Sequence, residues 1–259
     1  MNAYLALFKV NLLERLQYKW DLFLGGFGTV VYTFALFHLW KAIYSQSTIG
    51  TFTLLALSWY TLIGQVLRSA GGRPVNDISE QIQNGTIVSF LNKPVQFLYL
   101  QASTQYGKRL FQALSGFLLG GVMLSFLIGF IPLQLIHLLP LLLIFFLGTY
   151  INFILGFSLA TFAFWIEDAR PIHWIYDKVI FIFGGFLFPL DILPAGLQAI
   201  SSKLPMADFV YYPAKLAVQF SWPLFWQIIG GQAIYILVLT LLAHYLLRRG
   251  TKNLSVNGG

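Results

Sequence analysis

The chain has 259 residues, 58% of them hydrophobic and only 10% charged, with a formal net charge of +7 and no cysteine. A soluble domain carries about 25% charged residues, so the composition excludes a water-soluble fold and a water-facing basic domain for reading nucleic acid. Without cysteine there are no disulfides and no thiolate metal sites.

The apolar runs are long and unbroken, as in LLPLLLIFFLGTYINFILGF from Leu138 to Phe157. A membrane β-barrel shows short alternating strands instead, so the chain is predicted to be an all-α membrane protein. MNAYLALFK lacks the basic start and small-residue cleavage site of a signal peptide. Residues 2–19 predict an amphipathic helix lying in the membrane interface. Its stripe is Leu5, Phe8, Leu12 and Leu16, with Asn11, Glu14 and Gln17 away from it and Lys9 near it. An inner extension of the first span is the alternative. Six spans are expected at 20–43, 50–71, 97–130, 134–165, 173–190 and 223–247. Lys9, Arg15, Lys19, Arg68, Arg73, Lys93, Lys108, Arg109, Arg170, Lys178, Arg248, Arg249 and Lys252 then fall on one side, and only Lys41, Lys203 and Lys215 on the other. The positive-inside rule puts both termini in the cytoplasm. Trp20, Trp40, Trp165, Trp174, Trp222 and Trp226 lie near span ends as an aromatic belt, while Trp59 is mid-span.

Between the second and third spans lies Asn76 to Val95, NDISEQIQNGTIVSFLNKPV, the longest polar interruption of the first half. Asp77 with Glu80 three residues on has the spacing of a capping box. Ile78 and Ile82 share one face, and Asn84-Gly85 is a helix stop. Pro94 suits the first turn of the next helix. The expectation is a helix of about two turns, a glycine turn and a second helix start, with polar Asp77, Glu80, Gln81 and Asn84 on the rim. Ile78 and Ile82 face either a partner's groove or the chain's own interior.

Between the fifth and sixth spans, Phe188 to Pro223 holds five of the ten prolines, Pro189, Pro194, Pro205, Pro213 and Pro223. These pieces are apolar but too short to cross, which predicts two short re-entrant helices on the outer side, broken at Lys203-Leu204-Pro205. Residues 250–259 are expected to form a flexible tail. Gly116, Gly120, Gly148, Gly156, Gly184, Gly185, Gly230 and Gly231 permit close helix approach. Asp168 with Arg170, and Asp177 with Lys178, fit headgroup-level ion pairs, and no acidic residue is expected at mid-membrane, against a proton- or sodium-coupled carrier.

Catalytic signatures are missing. Ala102 to Arg109 approximates a phosphate loop but lacks its first glycine and its Ser/Thr after lysine. His38, His137, His173 and His244 are scattered, so no metal site is expected.

NGTIVSFLNKPV (84–95), FWIEDARPIHWIYD (164–177) and GGFLFPLDILPAGLQAISSKLP (184–205) together resemble the type-2 ABC exporter permeases, in the six-span branch whose ATPase is a separate polypeptide. The resemblance covers most of the chain. It implies that the loop after span two carries a coupling helix that docks on the ATPase (Asp77, Ile78, Glu80, Gln81, Ile82, Asn84 and Gly85). It implies that the outer segment gates the path, with Pro189, Pro194, Pro205 and Pro213 shaping it, and that the N-terminal helix connects to the ATPase too. The partners implied are cytoplasmic ATPase subunits, a second permease subunit (identical or related) and the lipid bilayer of a bacterial cytoplasmic or inner membrane. ATP and magnesium would sit on the ATPase; this chain would hold no cofactor and catalyse nothing. A non-transporting membrane scaffold is the other class, separated from a permease by whether an ATPase co-purifies.

Overall fold

The structure is a computed structural model that describes residues 3–17, 19–46, 52–70, 72–131, 133–166 and 168–257. The side chains of Arg15, Leu16 and Lys19, used above for the N-terminal stripe and the charge asymmetry, lie outside the described residues, as do positions 50 and 71 at the ends of the second expected span.

All regular structure among the described residues is helical: α1 (Ala3–Gln17), α2 (Lys19–Tyr44), α3 (Leu54–Ala70), α4 (Pro74–Gln83), α5 (Ile87–Leu91), α6 (Phe97–Leu127), α7 (Leu135–Ala160), α8 (Ala163–Ile166), α9 (Arg170–Phe183), a 3-10 turn (Leu190–Ile192), α10 (Ala195–Ser201), α11 (Pro205–Phe209), α12 (Tyr211–Val218) and α13 (Trp222–Asn257). Four stretches are long and apolar enough to cross a membrane: Phe23–Tyr44, Phe97–Leu127, Leu135–Ile166 and Trp222–Asn253. α3, with 17 residues, and α9, with 14, fall short. At 1.5 Å per residue they reach ~26 and ~21 Å, against a hydrocarbon core of ~30 Å. The expected fifth span, 173–190, stops at Phe183 because the chain turns at Gly184-Gly185, where Gly185 has φ +73°. The expected tail is helical as far as Asn257.

Small residues set the packing of the long helices. A Cβ on Gly116 of α6 would sit 2.9 Å from Thr29 Oγ1 of α2, and one on Gly120 would run into Leu62 of α3. Gly107 does the same for α1: its missing Cβ would lie 2.6 Å from the Phe8 carbonyl oxygen. α1 therefore lies along α6 through the side that carries Asn11, which the sequence placed away from the apolar stripe. Leu5 is 62% exposed, whereas Asn11 is buried. Asn11 tolerates that because its amide donates to Leu7 O at 2.8 Å on its own helix.

Tyr4 meets the Tyr99 ring, and Tyr99 meets His244, so the starts of α1 and α6 and the late part of α13 share one end of the bundle. The tryptophans divide. Trp20, Trp165, Trp174, Trp222 and Trp226 are exposed, as belt residues are. Trp40 is buried and donates to Thr61 Oγ1 (3.1 Å), and Trp59 donates to Gly129 O (3.1 Å), tying α3 to the end of α6.

Candidate functional site

The α4–α5 corner is built on proline and glycine. Pro74 occupies the first turn of α4, where its fixed φ and missing N–H are tolerated. The helix thus starts three residues before Asp77, which corrects the expected capping box. The Asp77 carboxylate instead turns to α6, accepting from Gln105 Nε2 at 2.7 Å with Lys108 Nζ at 3.7 Å. Gln81 also turns inward, its Oε1 accepting from Gln101 Nε2 at 2.9 Å. Ile78 is fully buried in the chain's own core with Ile87, Phe97, Ile151, Ile154 and Phe157, and Ile82 packs half-buried against it. The interior, not a partner's groove, is therefore the answer for Ile78.

Gly85 follows at φ +72°, the left-handed turn expected of it, with open space where a Cβ would project. Asn84 Oδ1 accepts from the Thr86 N–H (3.2 Å) and hydroxyl (2.7 Å), which fixes the entry to α5. Pro94 sits in the turn ahead of α6, whose N-cap is Gln96, rather than inside its first turn. What remains on the outside of the corner is Glu80, Asn84, Gly85, Thr86, Val88 and Ser89, with Val88 48% exposed. The corner thus has an outward polar rim around one apolar knob, and an inner face continuous with the helix core.

Beside it lies a feature that the sequence reading did not find: a cavity of about 390 Å³ between α2, α3, α6, α7 and α9. Arg68, Arg73, Arg109, His173 and Asp177 line it, and so does Pro74 at the start of α4. Gly156 of α7 admits Pro74, whose Cγ lies 2.8 Å from the glycine's missing Cβ. The arginines had counted only toward membrane orientation, because charge alone does not say which cations converge. The signal that could have found them is Gly25 and Gly28 on α2 opposite Arg68 and Arg109.

At the other end, the break before Pro205 appears as expected, but the second piece divides again at Val210, giving three short helices rather than two. Pro189 and Pro194 precede the 3-10 turn and α10, Pro205 opens α11, and Pro213 lies in the first turn of α12. An ion pair closes the segment: Lys215 Nζ lies 2.5 Å from Asp191 Oδ1, and the Tyr211 hydroxyl donates to Asp191 Oδ2 at 2.7 Å. The Tyr60 hydroxyl donates to Gly185 O and holds the turn after α9 to α3. α11 dips between α7 and α13, where Gln232 Nε2 donates to Asp208 O (2.8 Å) and Ile144 O (3.2 Å).

This brings Asp208, which the sequence reading passed over, to 5% exposure beside a 250 Å³ cavity shared with Lys203, Tyr212 and Tyr235. Gly231 makes room for its carboxylate. Burial pushes the Asp208 carboxyl up from 3.8 to about 7. Between those values the folded chain holds a proton that the unfolded chain has released, so stability falls as pH rises from about 4 to about 7. Thermal melting of the detergent-solubilised chain should show that slope, and Asp208→Asn should flatten it; an unchanged slope in the variant would assign the pH dependence to another group.

Helices of bilayer length around a polar cavity, with a compact corner projecting from one end, define a polytopic membrane subunit. The family model for ABC-2 family transporter proteins matches residues 30–258. The chain belongs to the ABC-2 transporter family and is a membrane subunit of an ABC transporter. No curated protein matches it.

Proposed function

We propose that the chain is the permease of an ATP-driven exporter, working as a dimer with an identical or related permease and with two cytoplasmic ATPase subunits that hold the ATP and magnesium. In this reading both termini are cytoplasmic, the membrane is a bacterial cytoplasmic or inner membrane, and α3 and α9 complete six crossings. α3 can be short because it is mostly enclosed by protein, where it need not match the hydrocarbon thickness alone. The outer segment from Pro189 to Pro213 forms the gate.

The α4–α5 corner is the part the ATPase moves. The observation that carries this is the two-sidedness of the corner: Glu80, Asn84, Gly85, Thr86, Val88 and Ser89 face outward, while Ile78 is locked into α6 and α7 packing. Asp77 and Gln81 act as struts to α6 through Gln105 and Gln101. A push on the rim is therefore delivered to the helices as a displacement of a rigid body, not absorbed in a loose loop. Isolated gently from the cells that make it, the chain should carry an ATP-hydrolysing polypeptide, and its removal should lower ATP turnover in reconstituted membranes. Isolation with no such partner, and no effect on turnover, would instead favour a membrane scaffold.

A further inference from the structure

We infer that the cavity beside α4 is a binding site for a phosphate-type oxyanion, the anionic group of a molecule that the permease handles. The inference rests on the permease reading for what the ligand is used for, but not for whether it binds. Among the described residues, three guanidinium groups, Arg68, Arg73 and Arg109, and the His173 imidazole line the cavity together with one carboxylate, Asp177. That carboxylate does not satisfy Arg68 or His173. Arg68 Nη1 and His173 Nε2 each stand 3.8 Å from it, beyond hydrogen-bond reach. Arg68 Nε and both His173 ring nitrogens are buried without a hydrogen-bond partner among the described residues.

A buried guanidinium donor and imidazole left this way are costly unless a partner meets them. A tetrahedral oxyanion offers several acceptor oxygens to a convergent set of guanidinium forks, the geometry arginine recognises best. The neighbours hold the donors in place. Asn152 Nδ2 donates to Arg68 O (3.2 Å), the Tyr176 hydroxyl donates to Asn152 Oδ1 (3.2 Å), and Gln112 Oε1 accepts from Arg109 Nη1 (2.8 Å). The space is also right. About 390 Å³ lies within the range of small-ligand pockets, ~300–1,000 Å³, and admits a headgroup rather than a long chain. Gly28 on the α2 wall leaves nothing within 4 Å of its missing Cβ, so that wall is open. Finally, Arg73 and Pro74 line the cavity and begin α4, so an anion held there bears directly on the helix we assign to the ATPase.

Such a phosphate group can belong to a lipid or to a soluble ester, and two arms separate the sources. The purified full-length chain is placed in phosphatidylcholine nanodiscs and titrated with glycerol 3-phosphate. In parallel, the discs are made with increasing phosphatidylglycerol. Thermal stability is followed in both, since a ligand that binds only the folded state raises it saturably. Saturation is expected in at least one arm, and that arm identifies the source. Arg73→Gln, at an exposed position, and Gly28→Leu, which narrows the mouth without changing charge, should each weaken the apparent affinity about tenfold or more. Arg249→Gln, remote from the cavity, should leave it unchanged. Loss in either cavity variant with Arg249→Gln unaffected sustains the assignment. No saturable response in either arm, wild-type affinity in both cavity variants, or an equal loss in Arg249→Gln overturns it. The permease alone is measured, so the result is independent of whether an ATPase is recruited.

Discussion

Ile78→Ala is expected to destabilise the folded bundle by about 2–5 kcal/mol, the cost of emptying a well-packed aliphatic site. Ile78 is fully buried where α4, α5, α6 and α7 meet, and its neighbours Ile87, Ile151, Ile154 and Phe157 are themselves fully buried. None of them can swing in without vacating its own place, so the cavity will stay largely open. The half-buried Ile82 should cost clearly less as alanine. Melting of the two variants in the same detergent gives the comparison. Equal, small shifts would mean that α4 rests loosely on the helices and cannot transmit force to them.

The second large effect is expected on the outer side of the same corner and on a different quantity. Val88 is an exposed apolar side chain at 48%, encircled by Asn84, Gly85, Thr86 and Ser89. An apolar anchor within a polar rim is the usual anatomy of an interaction hot spot. Val88→Asp should therefore weaken the ATPase complex by about 2 kcal/mol or more, roughly 30-fold in affinity, without moving the melting temperature of the permease alone. Gly85→Val should act by geometry. Nothing crowds the added carbons, but the +72° φ is wrong for a β-branched residue, at about 1–3 kcal/mol. Gly85→Asn, whose side chain tolerates the left-handed region, should be milder. Complex yield and ATP turnover in reconstituted membranes are the readouts. Retention of wild-type coupling by Val88→Asp and Gly85→Val together would move the handle to α1 or to the segment 168–173 at the start of α9.

What could be read from the sequence was whatever depends on local chemistry. Gly85 had to be a left-handed turn, since Asn-Gly after an amphipathic helix leaves little else. The break before Pro205 was legible because a proline pushes the residue ahead of it, here Leu204, into extended backbone. The capping box failed because Pro74, a stronger start signal, lay three residues upstream, and Asp77 had a better use against Gln105 and Lys108. What the polar side of α1 packs against was hidden for a long-range reason. Gly107 offers a groove into which Asn11 fits, and no property of α1 alone reveals that. The fifth crossing was overestimated because the apolar run continues from Val179 through Leu190 and Gly184-Gly185 reads equally well as helix packing. The cavity was invisible because it is assembled from six helices. Its arginines are more than a hundred residues apart from its histidine at the extreme, and sequence distance hides their convergence.

The central claim is that the α4–α5 corner is where this permease meets its ATPase. Because the chain contains no cysteine, single cysteines can be placed without background. Ser89→Cys on the exposed face of α5 and Ala195→Cys on α10 at the opposite end, each treated in intact membranes with a short thiol-reactive photocross-linker, make the direct comparison. The account predicts an adduct with the ATP-hydrolysing subunit from position 89, strengthened or weakened by nucleotide, and none from position 195. Absence of the adduct at position 89 while the complex remains intact would contradict it.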